Sequence, residues 1–305
     1  MPGSAAPPQA ALSDDLAQLR VFHHAAYPAE RIAAERVRQG LSVSVCLPAR
    51  ECAATVGQVV RALCELRDAG AIDEVVVVDA ASVDGTAQIA REAGAAVRQE
   101  AELLPEFGPV LGKGDAMWRA LSSLEGDLVC FLDADTEGFG AHFATGLLGP
   151  LVCEPDVSFV KAFYRRPPVA GDATLDGGGG RVNALLARPA LAVFYPELAC
   201  IRQPLAGEVA ARRELLQRLP FATGYGVEIA MLIDAWRELG LGRIVEVDLE
   251  EHRHRHQALA DLEPMARVVL ATVAARLQRD GRLLGAASLA RAPLERPPLA
   301  SLARA

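Results

Sequence analysis

Three short, almost unbroken apolar runs dictate most of what this chain can become. Leu41–Leu47, Glu74–Asp79 and Leu128–Leu132 have the length and β-branched content of strands, the second being built on four valines. Between them lie longer segments of helical periodicity, Ala53–Ala69, Gly85–Ala93 and Lys113–Ser123, and Ala96–Arg98 reads as a further short strand. A strand that is apolar on both faces has to be covered on both faces. The βαβα order therefore predicts an α/β fold: a mostly parallel central sheet between two layers of helices.

The rest of the chain is less regular. Residues 1–12 read as disordered, and two short helical patterns follow, at Asp14–Phe22 and Pro28–Gln39. After the third strand come a helix at His142–Leu151, a strand at Val157–Tyr164 and a polar, glycine-rich stretch at Arg165–Gly180. Helices are predicted at Arg181–Val193, Val209–Arg218, Gly226–Leu239 and Leu259–Gln278, a strand at Arg243–Val247, and a loose tail from Arg279. This organisation divides into an N-terminal helical extension (1–40), two fused halves of one domain (41–166 and 167–280) and a tail (281–305).

Composition narrows the function. Of 305 residues, 51% are hydrophobic, which supplies a sizeable core, and only 5% are aromatic, which argues against a base-stacking surface. A net charge of −8 disfavours nucleic acid and anionic membranes as partners. The six cysteines form no Cys-x-x-Cys pair and read as reduced thiols. Met1–Gln9 lacks the charged and apolar regions of a signal peptide, and no apolar run has transmembrane length, so a soluble cytoplasmic protein is expected.

Carboxylates gather where the strands end. Leu128–Leu132 runs into Asp133-Ala134-Asp135, and in an open parallel sheet that edge faces the ligand crevice. Asp-x-Asp there offers hard oxygens to a divalent cation, which in turn neutralises a diphosphate; the bland alternative is a solvated turn. Pro48-Ala49-Arg50-Glu51 and Asp79 share the same edge. Gly112-Lys113-Gly114 is no P-loop, since the spacing from Gly108 is one residue short and no hydroxyl follows, yet its lysine can reach a phosphate or a sugar. Gly177–Gly180 followed by Arg181 places backbone amides and a guanidinium at a helix start, which suits an anion; otherwise it is a linker. Gly224-Tyr225-Gly226-Val227-Glu228 opens another helix with a first-turn carboxylate. His252, His254 and His256 alternate with arginines, a pattern open to a zinc site, a solvated basic loop, or one histidine completing the Asp135 metal shell.

These pieces occur together and in order, along with Val160–Pro167, Gly178-Gly179-Gly180-Arg181-Val182, Gln203–Glu208, Gly224–Ile229 and His252-Arg253. On them the chain closely resembles the glucosyl-3-phosphoglycerate synthases, retaining GT-A glycosyltransferases, and equally the mannosyl-3-phosphoglycerate synthases, over roughly Phe22 to Leu277. The resemblance implies a GT-A fold in which 41–166 binds a nucleotide-sugar donor and 167–280 the 3-phosphoglycerate acceptor, in a homodimer. It implies that Pro48, Ala49 and Asp79 hold the nucleoside and that Lys113 and Asp133 contact the donor. Asp135 and His252 then bind Mg²⁺ or Mn²⁺, Gly180 and Arg181 hold 3-phosphoglycerate, and Tyr225 and Glu228 face the transferred sugar. Asp135, Lys113 and Glu228 are the catalytic candidates.

The chain departs from that family at three places. Arg50-Glu51-Cys52 stands where Leu-Asn-Glu usually follows Pro-Ala, so Glu51 is expected to take over a base contact and GDP-sugars to be accepted alongside UDP-glucose. Asn183 and His254 stand where a threonine and an asparagine lie near the acceptor phosphate, so phosphate contacts are expected to be rebuilt with an imidazole. The competing readings are a mannosyl transferase using GDP-mannose and a non-catalytic sugar-nucleotide-binding protein. A NAD-dependent dehydrogenase lacks Gly-x-Gly-x-x-Gly after the first strand.

Overall fold

The computed structural model describes residues 19–165, 180–252, 259–283 and 294–302. Their strands are β1 (Arg20–His23), β2 (Val43–Ala49), β3 (Glu74–Asp79), β4 (Ala96–Gln99), β5 (Leu128–Phe131), β6 (Phe159–Arg165), β7 (Val209–Arg212), β8 (Phe221–Ala222), β9 (Ile244–Glu251) and β10 (Glu295–Arg296). The helices are α1 (Ala29–Gln39), α2 (Val56–Asp68), α3 (Thr86–Glu92), α4 (Lys113–Leu121), α5 (His142–Cys153), α6 (Arg188–Phe194), α7 (Arg213–Arg218), α8 (Val227–Leu239), α9 (Leu259–Arg279) and α10 (Leu299–Leu302). Eight strands form one sheet in the order β1-β9-β6-β7-β5-β2-β3-β4. All neighbours are parallel except β7, which runs antiparallel to both β5 and β6.

The period-2 alternation of each strand feeds two cores. Val45, Leu47, Val75, Val77, Leu128 and Cys130 pack on one face of the sheet with residues of α2 and α5 such as Leu63 and Leu147. Cys46, Val76, Val78, Val129 and Phe131 pack on the other, with Met117 of α4, Ile233 of α8 and Val273 of α9. Both faces are covered, as the uninterrupted apolar strands require. No helix among the described residues is long and apolar enough to cross a membrane.

Three sequence expectations are corrected. The helix expected at Val209–Arg218 is a strand, β7, followed by the short α7, because Val209-Ala210-Ala211 fills the gap between β5 and β6 and supplies their missing ladder partner. Tertiary pairing there overrides the helical preference of alanine. The helix expected at Asp14–Phe22 ends instead as β1, which extends the sheet by pairing with β9; residues 1–18 lie outside the described region. The described part of the tail, 294–302, is anchored rather than loose. β10 pairs with β8, and Arg296 grips the buried Asp115 of α4 with two hydrogen bonds of 2.7 Å. Trp118 Nε1 also donates to Pro297 O at 2.8 Å.

The glycines around Lys113 have a packing cause. A Cβ on Gly114 would lie 1.9 Å from Ala222 O of β8, and Gly112 adopts φ +92°. This close approach seats the start of α4 against the turn that opens α8. Gly114→Ala is expected to cost about 1–3 kcal/mol of stability by overpacking against backbone. Its denaturant midpoint reports this, and an unchanged midpoint would show that the contact relaxes.

Candidate active site

β2 and β5 are neighbours from which chain order runs outward in opposite directions. Such a switch point leaves a crevice beyond the carboxyl ends of the strands. Ala49 and Asp79 end β2 and β3 in register, and Pro48 is paired with Val78 just before them. Asp133 and Asp135 follow β5 at the same edge.

Asp79 is buried. Its Oδ2 accepts from the Ser82 backbone N–H at 3.1 Å and from Gln99 Nε2 at 3.0 Å, whereas Oδ1 has no hydrogen-bond partner among the described residues. An unsatisfied buried acceptor is costly, so this edge is built for a donor from outside the chain. Glu51 is aimed elsewhere. It sits at φ +54°, and its Oε1 accepts from the Val83 N–H at 2.9 Å, which closes the loop over the end of β2.

Lys113 is central. Its Nζ lies 2.7 Å from Asp133 Oδ1 and 3.0 Å from Glu228 Oε1, which joins the first turn of α4, the end of β5 and the first turn of α8. Burial alone would lower its pKa, but the charges of Asp133 and Glu228 outweigh that and hold it well above the ordinary range. The 203–208 segment crosses directly over this pair: a Cβ on Gly207 would lie 2.4 Å from Asp133 Oδ2 and 2.7 Å from Lys113 Nζ.

Asp135 is open to solvent at the mouth of the crevice yet walled by protein. That partial desolvation, and next the charge of Asp133, raise its pKa. A cation relieves this repulsion. His252, at the end of β9, is buried and stacks on Tyr164 at 4.4 Å between ring centroids. Its Nε2 lies 3.0 Å from Glu208 Oε1 and 3.2 Å from Thr136 Oγ1, and that hydroxyl donates to Asp133 O at 3.1 Å. His252 is thus tied to the Asp133–Asp135 turn through Thr136. The carboxylate of Glu208 stays ionised despite its burial, because the imidazole lowers its pKa. One oxygen-donor and one nitrogen-donor ligand, Asp135 and His252, fit a divalent ion that takes its remaining ligands from a diphosphate and water.

The second half supplies the far wall. Gly180 and Arg181 begin the helical stretch that becomes α6, and a π segment spans Asn183–Ala187. Asn183 is buried, and its Oδ1 accepts from the Leu205 N–H at 2.9 Å, so that oxygen braces the 203–208 segment. Tyr225 is 54% exposed in the turn before Glu228. His254 and His256 lie outside the described residues.

Sequence reasoning assigned no role to Glu208, Thr136 or Lys161. Lys161 is buried inside β6, with its pKa lowered by burial to about 8 against the pull of Glu228 and Glu208, and its Nζ donates to Ala206 O. A lysine in the middle of an apolar strand was the available signal, since such a residue is rarely buried without a partner.

Comparison with known proteins agrees with this geometry. The glycosyl transferase family 2 profile matches residues 44–144, the span from β2 to the start of α5. A glucosyl-3-phosphoglycerate synthase of Petrotoga mobilis is 41% identical over 87% of this chain and 82% of its own length. The crystal structure of mannosyl-3-phosphoglycerate synthase from Rubrobacter xylanophilus superposes with a TM-score of 0.87 at 42% identity, covering 93% of this chain and 97% of that one. Glucosyl-3-phosphoglycerate synthase from Mycobacterium tuberculosis, in complex with Mn²⁺, UDP-glucose and phosphoglyceric acid, superposes at 0.80 and 39% identity, covering 93% and 99%.

Proposed function

The chain belongs to the glucosyl-3-phosphoglycerate synthase family, and we propose that it transfers glucose from a nucleotide-glucose to the 2-hydroxyl of D-3-phosphoglycerate with retention of configuration. The observation that carries this reading is the convergence of Asp79, Lys113, Asp133, Asp135, Glu228 and His252 on one crevice at the sheet's switch point. A non-catalytic binding protein would not need an ion-paired lysine and a metal-ready carboxylate together at the sugar-facing edge.

In this reading the nucleoside sits across Pro48, Ala49 and Asp79, and the orphaned Asp79 Oδ1 accepts from it. Asp135 and His252 hold Mg²⁺ or Mn²⁺, which when bound neutralises the charge on the leaving diphosphate. Glu208 and Thr136 fix the His252 ring for that role. Lys113 stays cationic beside Asp133 and Glu228 and contacts the donor. Glu228 and Tyr225 orient the sugar. The bond from the anomeric carbon to the phosphate oxygen breaks, a bond to the acceptor 2-oxygen forms on the same face, and the hydroxyl proton passes to the departing phosphate. Gly180, Arg181 and the 183–254 pair of substituted positions, Asn183 and His254, serve the acceptor side. The exposed apolar side chains Leu185, Val193 and Phe194 support assembly as a homodimer.

A second reading has a specific basis: the mannosyl-3-phosphoglycerate synthase structure is as similar as the glucosyl ones. Rates with UDP-glucose, GDP-glucose and GDP-mannose, each with 3-phosphoglycerate and Mg²⁺ or Mn²⁺, separate the two. Glucosyl-3-phosphoglycerate is the expected product. Because Glu51 is bonded to Val83 rather than aimed outward, base discrimination rests on Asp79 and the 48–50 backbone, so GDP-glucose is expected to work alongside UDP-glucose. UDP-glucose preferred by more than about a thousandfold would reject the relaxed base preference. No product from any donor would reject the enzyme.

Arg181 gives a separable test of the acceptor side. Arg181→Ala is expected to raise the KM for 3-phosphoglycerate by about 10²-fold while moving that for the donor little, as a shielded guanidinium–phosphate pair would. Equal effects on both substrates would make Arg181 structural.

A further inference from the structure

A second cluster of metal-ligating side chains lies at the same carboxyl ends of the strands but on the outermost pair, where β1 meets β9, two residues before His252. His23 ends β1 and His24 opens the 3₁₀ turn His24–Ala26. Consecutive strand residues point to opposite faces, but this turn swings both rings to one side, with centroids 4.6 Å apart. Glu250, near the end of β9, sits at φ +63°, and its carboxylate meets both rings. His23 Nε2 lies 3.4 Å and His24 Nε2 3.5 Å from the same Glu250 Oε1.

Those separations are long for hydrogen bonds, and His24 Nε2 is buried with no hydrogen-bond partner. They match the spacing between ligands on one tetrahedral ion. With Zn–N and Zn–O near 2.0–2.1 Å, neighbouring ligand atoms stand about 3.4 Å apart. Among the described residues this is the one triad of His, Cys, Asp or Glu whose donor atoms all fall within 4.8 Å of one another. We propose that His23, His24 and Glu250 form a second metal site, for a borderline transition ion such as Zn²⁺, which clips the end of β1 to β9.

The donor set explains the choice of ion. Two imidazoles and one carboxylate favour Zn²⁺ over Mg²⁺, whereas the Asp135–His252 site is completed by diphosphate oxygens. Coordination through His23 Nε2 places the ring proton on Nδ1, so the ion displaces the 3.2 Å bond that Nδ1 now accepts from the Ala25 N–H. His142 packs at a tilt against His24 at 4.7 Å and Phe143 at 4.6 Å, and Phe143 meets His252 edge-on at 5.4 Å, so a packed row of rings links the clip to the crevice.

The test uses full-length, tag-free protein carrying Asp135→Ala, which disables the proposed donor-metal site. After equilibration with micromolar Zn²⁺ in excess Mg²⁺ and gel filtration, zinc is counted by atomic emission. The single variant should hold one more Zn²⁺ per chain than Asp135→Ala/His24→Ala. Asp135→Ala/Glu250→Gln, which keeps the size of the side chain, should bind Zn²⁺ at least tenfold more weakly, with circular dichroism confirming the fold. Equal zinc in all three proteins overturns the proposal, as does loss of the extra Zn²⁺ to Mg²⁺ competition in the single variant.

Discussion

Asp135→Asn is expected to lower kcat/KM by about 10³-fold or more while leaving the metal-free fold at least as stable as the parent. An ion at the leaving diphosphate contributes several kcal/mol in the transition state, and each 1.36 kcal/mol is about tenfold in rate. With Asp135 and His252 as the proposed ligands among the described residues, losing one of the two removes most of the hold on that ion. The stability half follows from the pKa. Desolvation and Asp133 raise the Asp135 carboxyl above its ordinary value of 3.8. A carboxyl raised on folding binds its proton more tightly in the folded state, so its ionised form costs stability above the raised pKa. That cost fades as pH falls toward the unfolded value. Asparagine carries no such cost, so in EDTA the variant should melt no lower than the parent at neutral pH, and the two should converge near pH 4. Full turnover would misplace the metal site, and a melting point several degrees lower would mean that Asp135 props the fold.

What was legible in the sequence was whatever has a local cause. Glu74–Asp79 is read to the residue because four valines between two acids admit little but a buried strand. The crevice followed from it, since parallel strands of known order put Ala49, Asp79 and Asp133 on one edge without any side-chain information. Elements whose cause lies far along the chain were not legible. β7 is a strand because β5 and β6 leave a slot for it, and nothing in Val-Ala-Ala-Arg says so. The tail is held because buried Asp115 pairs with Arg296, 181 residues away. Within the site, Asp135 and His252 could be named from motifs, but the Glu208–His252–Thr136 connection could not, since it joins three segments that meet only in the fold. Glu51 shows the same limit from the other side: its residue type suggested a base contact, and its backbone conformation turned the carboxylate to Val83.

Lys113→Met is expected to lose activity by about 10²–10³-fold and stability by about 1–3 kcal/mol, and Glu228→Gln in the same chain is expected to restore the stability without the activity. Lys113 Nζ is the counter-ion that Asp133 and Glu228 share. Removing it leaves two carboxylates facing each other with only partial access to water. Full burial would cost more, but Lys113 and Asp133 keep about a quarter of their side-chain surface, so solvent screens part of the repulsion. The sign of the pH dependence is fixed by the raised pKa of Lys113. A cation raised on folding contributes fully below its unfolded pKa of about 10.4, so the parent keeps this stability across the neutral range. Neutralising Glu228 removes the repulsion at pH 7, so the double variant should be more stable than the single one. Such non-additivity is the signature of direct coupling. Activity is not expected to return, because the proposed donor-contacting cation is gone and the proposed sugar-orienting carboxylate with it. Chemical denaturation of the parent, both single variants and the double variant at pH 7, together with their kcat/KM, decides the matter. Additive stability losses would show that Lys113 and Glu228 do not share a charge-balanced site.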